Sequence, residues 1–586
     1  MINKEKDSIN NKIKRSIINR EILQFLPISF IFILLVIPFF IFLVVNLCYE
    51  DQGLGYPILH FNINNILSVF SFARYFIIRD TIILSIVSAI LATFLGYFLS
   101  FFITFLRTSI KNYIIVLAYV PFFFNPISQF YAIKSLFLTT GVFNNLLISL
   151  NIIDSYIIVP EYFIISLSLI IRYLPIAFFL TSILMQRISI AQIEASIDLG
   201  ATRTRIFYDF IFKRTYKSII ISLFIIFILC YGNISSSLLT DCNLFGNNFI
   251  NFLLLGDTLS ASAYLFFFGI FTCIAIILCN IYFHKSNFFV VREQAMNLSK
   301  YKCLDIAKSP FTIIINIITI FLLFVIVFFT FLFSFNKVSS VFSFQGFSLR
   351  WYLDFFRDLN ILVAFKNSFI VATFASIIAT FIGSIFAISF SKYRQLINIK
   401  LLRIIKLPML FSEVIFCASI IIFIKFVGLE NDFLAQIIGI SIVSLFISIL
   451  LIYRQVRNFD LNMEAASLDL GANYIQTFKY VIVPTIFPSV ISCFLLIFVY
   501  AFNEFIISYT ISNSLSTPFI SNWLFWLTKY QQTPVINVIS SFILFLSFFI
   551  IYVADINNSH NEKSKKLKYY TLCFILIFAI LFLIFG

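Results

Sequence analysis

Charge is what this sequence has least of. Only 11% of its 586 residues are charged, against about a quarter in an ordinary soluble domain. Hydrophobic residues make up 61%, and the mean hydropathy is +1.02. That composition excludes a soluble globular enzyme and a disordered chain. Histidine is nearly absent: His60, His284 and His560 lie far apart and propose no metal site. The nine cysteines are scattered, and Cys230, Cys273, Cys279, Cys417, Cys493 and Cys573 fall within apolar runs. None forms a C-x-x-C pair, so neither a zinc site nor a disulfide framework is indicated. There is no G-x-x-x-x-G-K-[ST] phosphate loop and no H-E-x-x-H or Ser-His-Asp constellation. No catalytic residue is therefore assigned, and any ATP hydrolysis must come from another subunit.

What the chain does have is apolar runs of about 20 residues, each long enough to cross a bilayer as a helix. The runs do not alternate apolar with polar residues, which excludes a membrane β-barrel. Positions 1–25 are polar and basic, with Lys4, Lys6, Lys12, Lys14, Arg15 and Arg20. The first run, 26–48, is too long for a signal-peptide core and lacks a small-residue cleavage pattern. Further spans are predicted at 81–106, 113–134, 162–185, 218–240 and 262–283, then at 311–335, 367–390, 404–428, 433–453, 486–511 and 536–554. The net charge of +15 sits mainly in short gaps between these runs. That pattern sets topology by the positive-inside rule rather than marking a nucleic-acid partner. Arg107, Lys111, Arg203, Arg205, Lys213, Arg214 and Lys217 fall on the same side as the N-terminus, which is predicted cytoplasmic.

The chain thus divides into a basic N-terminus (1–25), six spans (26–284), a cytoplasmic linker (285–310), six more spans (311–555) and a basic tail (556–586). The last apolar run, 569–586, leaves two readings, a thirteenth span or an interfacial segment. The halves also repeat in sequence. Leu91-Ala-Thr-Phe-Leu-Gly96 recurs as Ile378-Ala-Thr-Phe-Ile-Gly383. Ala195-Ser-Ile-Asp-Leu-Gly-Ala201 recurs as Ala466-Ser-Leu-Asp-Leu-Gly-Ala472, at a slightly smaller offset. The first half therefore carries extra residues between the blocks, assigned to the external segment around 135–160. Alone, the first block reads as close helix packing at a small residue. Two matched blocks in order mean a duplicated bundle with parallel halves, one known transporter architecture.

The second block interrupts the apolar pattern with two short helices. Ile190 to Leu199 reads as a helix that Gly200 ends in a positive-φ conformation. Thr202 then suits the N-cap of the next helix. Gly471 and Asn473 take those roles in the second copy.

These segments resemble the EAA loop of bacterial ABC-importer permeases, whose pattern is Glu-Ala-Ala, three residues, Gly, and later Ile-x-Leu-Pro. The first copy offers Glu194, Ala195, Ser196, Asp198 and Gly200; the second offers Glu464, Ala466, Ser467, Asp469 and Gly471. Two departures stand out. Glu464 lies one residue early, and Lys213 stands where the second copy has Pro484. In the family this loop docks as a coupling helix onto a cytoplasmic ATPase subunit. The second half also carries Phe347-Ser-Leu-Arg-Trp-Tyr352, Asn367-Ser368, Phe502-Asn-Glu-Phe-Ile-Ile507 and Thr533-Pro-Val-Ile-Asn537. That order resembles the spermidine/putrescine permeases, and the first half, through Tyr173-Leu-Pro175, is more weakly similar to their partner subunit.

The resemblance implies an all-α polytopic protein of the bacterial inner membrane, built as two tandem six-helix permease halves fused in one chain. It implies two copies of a cytoplasmic ATPase that hydrolyses the ATP, an extracytoplasmic substrate-binding protein, and no cofactor held by the chain itself. Ferric-iron and thiamine importers also fuse two permeases, which keeps those substrates open. An ion-driven secondary transporter is a further alternative, but it leaves the two Gly-centred loops unexplained. A polycationic substrate needs acidic or carbonyl oxygens along its path. Ionisable residues within spans are functional candidates by default. On that ground Glu504 is the first pathway candidate, with Asn503 beside it, Asn233 as its counterpart in the first half, and Glu413 in the ninth span. A structural pairing of Glu413 with Lys425 is the other reading for that residue.

Overall fold

The structure is a computed structural model. It describes residues 49–50, 57–58, 72–105, 108–188, 190–240, 242–255, 260–266, 268–270, 309–339, 344–392, 431–457, 461–512 and 518–558, with scattered positions elsewhere within 257–277 and 414–429. The first predicted span, nearly all of the linker, half of the sixth span, most of the ninth span and the segment 569–586 lie outside the described residues. Apart from a two-residue antiparallel pair, β1 (Tyr49–Glu50) and β2 (Pro57–Ile58), its regular structure is helical. Seven helices among the described residues are long and apolar enough to cross a membrane, eight if one sharply bent pair counts as a span. The chain is an all-α polytopic membrane protein.

In the first half the helices are α1 (Phe72–Phe105), α2 (Thr108–Phe123), α3 (Pro126–Phe137), α4 (Val142–Ser149), α5 (Glu161–Met185), α6 (Ile190–Asp198), α7 (Arg203–Ile206), α8 (Lys213–Tyr231) and α9 (Phe245–Leu254). The second half has α10 (Pro310–Ser334), α11 (Arg350–Arg357), α12 (Leu359–Lys392), α13 (Asp432–Arg457), α14 (Leu461–Asp469), α15 (Tyr474–Thr477), α16 (Val483–Phe502), α17 (Ile506–Ile511), α18 (Ile520–Tyr530) and α19 (Val535–Asn558).

The sequence repeat is a structural repeat. α1 and α12 have the same length, 34 residues, and start at the offset of the first sequence block. α6 and α14 begin and end at the offset of the second block, and so do α7 and α15. A π-helical turn follows in both halves, Phe207–Phe212 and Phe478–Ile482. The packing repeats too: α1, α5 and α8 form one trio, and α12, α13 and α16 form the other. Between α3 and α5 the first half has α4 and an irregular segment to Pro160, within the stretch to which the sequence reading assigns the extra residues.

Lipid tails are as apolar as leucine, so helices associate through small residues and close contact rather than by hiding apolar surface from water. α10 shows this directly. Phe311, Ile314, Ile318, Phe321, Phe328 and Phe331 face outward, while Thr312, Asn316, Thr319 and Thr330 are buried. The two repeated glycines are where each trio closes. A Cβ on Gly96 would lie 2.5 Å from Ala177 Cβ and 2.8 Å from Phe178 N. One on Gly383 would lie 2.8 Å from Ser448 Cβ. Ala177 and Ser448 are themselves equivalent positions at the offset of the second block, so the same crossing occurs twice.

The halves also pack on one another. α10 lies against α1, α2 and α3, and α3 lies against α18 and α19. The largest apolar cluster joins Ile127, Tyr131 and Tyr231 of the first half to Phe498, Phe502 and Ile536 of the second.

Three predicted spans need correction. The run 113–134 is not one helix: it breaks between Phe123 and Pro126 with a bend of 103°. Proline disfavours a helical residue before it, which makes Asn125 extended, and Pro121 removes a backbone donor one turn earlier. The run 218–240 breaks after Tyr231 and the run 486–511 after Phe502, with only short helices, Ser237–Leu239 and α17, beyond the breaks. Counting their leading turns, these spans begin earlier than hydropathy indicates, at Arg203 and Ile475. Each continues through a π turn from the polar loop before it.

Candidate functional site: two Gly-centred loops and a seam of broken helices

Both loops are helix–Gly–helix. Gly200 has φ +80° and Gly471 φ +87°, the left-handed region that glycine enters without a Cβ clash. The residue before each glycine, Leu199 and Leu470, is 88% exposed. Ala195, Asp198, Ala466 and Asp469 are exposed, Ser196 is buried and Glu464 and Ser467 are half-buried. Glu194 lies within α6, and its side chain is outside the described residues. Ile193, Ile206 and Ile211 anchor the first loop on Phe101, Phe105 and Met185. The Arg214 guanidinium donates to the Gln192 side chain, and Asp209 pairs with Lys213 at 2.6 Å.

The capping expectation holds in one copy and fails in the other. Asn473 and Gln476 form a reciprocal box: Gln476 N–H donates to Asn473 Oδ1 and Asn473 N–H to Gln476 Oε1, both at 2.9 Å. Thr202 occupies the N-cap position but makes no capping hydrogen bond. Its hydroxyl lies 3.2 Å from Thr204 Oγ1 instead. The segment Arg203-Thr-Arg-Ile206 offers no Glu or Gln three residues on to complete a box.

The pathway candidates lie at helix ends. α8 stops at Tyr231 and Asn233 follows; α16 stops at Phe502 and Glu504 follows, at the equivalent position of the second half. The two turns are closed differently. Asn233 Oδ1 accepts from Ser236 N–H and Oγ, and its Nδ2 donates to Tyr173 Oη at 3.2 Å. Tyr173 in turn donates to Leu229 O. These bonds stay within the first half. The Glu504 carboxylate instead accepts from the N–H groups of Ile506, Ile507 and Ser508 at 3.1, 3.0 and 3.3 Å, starting α17. It is half-buried. Glu413 and Lys425 lie outside the described residues.

Asn503 reaches across to the other half. Its Nδ2 donates to Phe123 O at 3.2 Å and to Val499 O at 3.0 Å. Sequence reading did not find its partner, Asn125, at the α2–α3 break. Asn125 Nδ2 donates to Ser521 Oγ at 3.0 Å and reaches Asn503 O at 3.5 Å. Its Oδ1 accepts from Ile127 N–H and caps α3. Nearby, Ser540 Oγ donates to Ser128 Oγ at 2.7 Å. The signal that marks Asn125 is an Asn directly before a Pro within an apolar run, an N-cap pattern. Nothing in a single sequence announces contacts between residues so far apart along the chain.

The second-half motifs tie the same region together. Asn367 Nδ2 donates to Pro518 O, and Ile520 N–H donates to Ser368 Oγ, fixing the start of α18. Trp351 Nε1 donates to Asn336 O at 2.7 Å. Discontinuous helices with free backbone groups line substrate paths in membrane transporters. The seam joins two such breaks, one from each half, and offers oxygen acceptors in a low-dielectric setting.

No known family model matches the chain. Curated relatives do. The spermidine/putrescine transport system permease protein PotC of Haemophilus influenzae is 25% identical over 229 residues, 39% of this chain and 89% of that protein. PotC of Escherichia coli K12 is 22% identical over 38% of this chain and 84% of its own length. The putrescine transport system permease protein PotI of E. coli K12 is 24% identical over 45% of this chain and 95% of its own length. This chain resembles a fusion of two such permease subunits. Each relative is matched over most of its length by less than half of the chain, as a tandem pair requires.

Proposed function

We propose that this chain is the membrane permease of an ATP-driven importer of polyamines, spermidine or putrescine, working by alternating access between its two halves. The observation that carries the reading is the similarity, over most of their lengths, to permease proteins of spermidine/putrescine transport systems. The pair of Gly-centred loops, one per half, supports it. On this reading the loops around Glu194–Gly200 and Glu464–Gly471 each receive one copy of a cytoplasmic ATPase. That subunit holds and hydrolyses the ATP; the chain itself contributes no catalytic group and needs no cofactor. An extracytoplasmic binding protein delivers substrate to the opposite face. The chain resides in the bacterial inner membrane with its N-terminus inside, as the distribution of basic residues favours. Asn503, Glu504 and Asn233 are its pathway residues, with Glu413 assigned to the pathway on sequence alone.

The test is uptake of labelled spermidine by a host lacking polyamine transport, with the chain co-expressed with its ATPase and binding protein. Unlabelled putrescine and ferric iron serve as competitors. Uptake that needs the ATPase, yields to putrescine and resists iron is the expected result. An assembled, membrane-inserted complex that takes up no spermidine refutes the polyamine reading.

A further inference from the structure

The Asn125–Asn503 contact has a form that mere helix packing does not require. Each asparagine sits at a helix break and sends its amide across the seam to the other break. Asn503 Nδ2 donates to Phe123 O at 3.2 Å, and Asn125 Nδ2 lies 3.5 Å from Asn503 O. Both distances are at or beyond the long end for N–H···O bonds. The carbonyls therefore have donors, held loosely. Asn503 Oδ1, meanwhile, is buried and accepts no hydrogen bond among the described residues. An orphaned buried acceptor is costly unless a water or a ligand donates to it. The next residue, Glu504, adds a carboxylate.

Separating the halves at this point would strip both carbonyls of their side-chain donors. Unpaired carbonyls in a membrane interior are unfavourable unless another donor takes over. A protonated amine carries up to three N–H donors and a positive charge, and hydrogen bonds to a charged group are the stronger kind. We propose that the Asn125–Asn503 clasp is the substrate gate. A substrate ammonium replaces the two side-chain amides on Phe123 O and Asn503 O, with Asn503 Oδ1 accepting its third N–H and the neighbouring Glu504 carboxylate supplying the opposite charge. The inference rests on the polyamine reading and adds the atoms that recognise the ligand.

The experiment uses the whole complex, with ATPase and binding protein, in proteoliposomes, with spermidine as probe. Two quantities are read: the KM for uptake and the ATP hydrolysis that occurs without substrate. Asn503→Ala removes both the clasp donor and the acceptor oxygen, and is expected to raise KM about tenfold or more. Asn503→Asp keeps acceptor oxygens but has no donor. It is expected to hold KM within about threefold of wild type while substrate-free hydrolysis rises. Asn125→Ala leaves the three acceptors proposed for the ammonium in place while removing the clasp donor together with the α3 cap and the Ser521 bond, and is expected to raise substrate-free hydrolysis alone. It decides the gate role even where an Asn503 variant fails to assemble. A wild-type KM in Asn503→Ala, or equal KM values for the Ala and Asp variants, overturns the acceptor role. Unchanged hydrolysis in Asn125→Ala overturns the gate. If the wild-type complex itself transports no polyamine, the functional reading fails instead, and the two failures are told apart.

Discussion

Replacing Gly96 by alanine separates two opposed effects whose sizes are known. In an open helix position, alanine is favoured over glycine by about 1 kcal/mol because it restricts the unfolded backbone. At this crossing the new methyl meets Ala177 Cβ at 2.5 Å, Phe178 N at 2.8 Å and Ala177 C at 3.0 Å. Two of those atoms are helix backbone and cannot rotate away. Overpacking of this kind costs about 1–3 kcal/mol, and burying the methyl regains little where lipid is the alternative surroundings. The net expectation for Gly96→Ala is a loss of up to about 2 kcal/mol. At Gly383 the obstacle is mainly the Ser448 side chain, with Ile449 N at 3.3 Å. A second substitution should therefore relieve the two sites differently. Ser448→Gly clears the way for Gly383→Ala almost fully, although it gives up the hydroxyl's 2.7 Å bond to Ala379 O. Ala177→Gly leaves Phe178 N in place and relieves Gly96→Ala only in part. Apparent thermal midpoints of the detergent-solubilised protein, combined as two double-mutant cycles, give each coupling free of the single-site costs. A Gly96→Ala protein clearly more stable than wild type would refute the close crossing of α1 and α5.

The other expectations concern the loops and the seam. Gly200→Ala and Gly471→Ala meet nothing within 4 Å, so their cost is backbone strain alone, about 1–2 kcal/mol each. ATP-dependent uptake should fall with only that modest drop in detergent stability, and Asn at either position should be tolerated better than Ala; equal uptake for all three residues would contradict this. Asn473→Ala should cost about 1 kcal/mol and Thr202→Ala only a few tenths, because only Asn473 makes a capping bond; the reverse order of thermal midpoints would count against the asymmetry. Glu504→Gln keeps a capping oxygen but loses the charge, so spermidine KM should rise about fivefold with little loss of stability. An unchanged KM would make Glu504 a helix cap and nothing more.

Much of the scaffold was readable because its cause is local. The two offsets in sequence are the offsets of the helices, and the positive φ of Gly200 and Gly471 follows from glycine at a helix end. Span boundaries were less readable. Hydropathy sees a continuous apolar run across 113–134, whereas the break at Asn125 is set by two prolines and a cap. Helices α1 and α12 begin at Phe72 and Leu359, about two turns before the apolar runs of 81–106 and 367–390. Their first turns carry Arg74, Arg79 and Asp80, or Lys366, so hydropathy misses them. The seam was invisible, since it is made by residues of opposite halves that only the packing of α3 on α18 and α19 brings together.

Duplication also indicates where function should be sought. Wherever the halves agree, as at Gly96 and Gly383 or Gly200 and Gly471, the shared residue solves a shared problem of packing or chain direction. The halves disagree at the tips that follow α8 and α16. Gly232-Asn233 folds its polar groups back onto Tyr173 and Ser236 of its own half. Asn503-Glu504 sends one side chain across the seam and turns the other into the start of α17. Two identical tips would present the same groups to a substrate from both sides. These tips place a carboxylate and an uncommitted amide oxygen on one side only. A cation moving between the halves would thus be held mainly by the second half, and the first half would supply the clasp that has to let go.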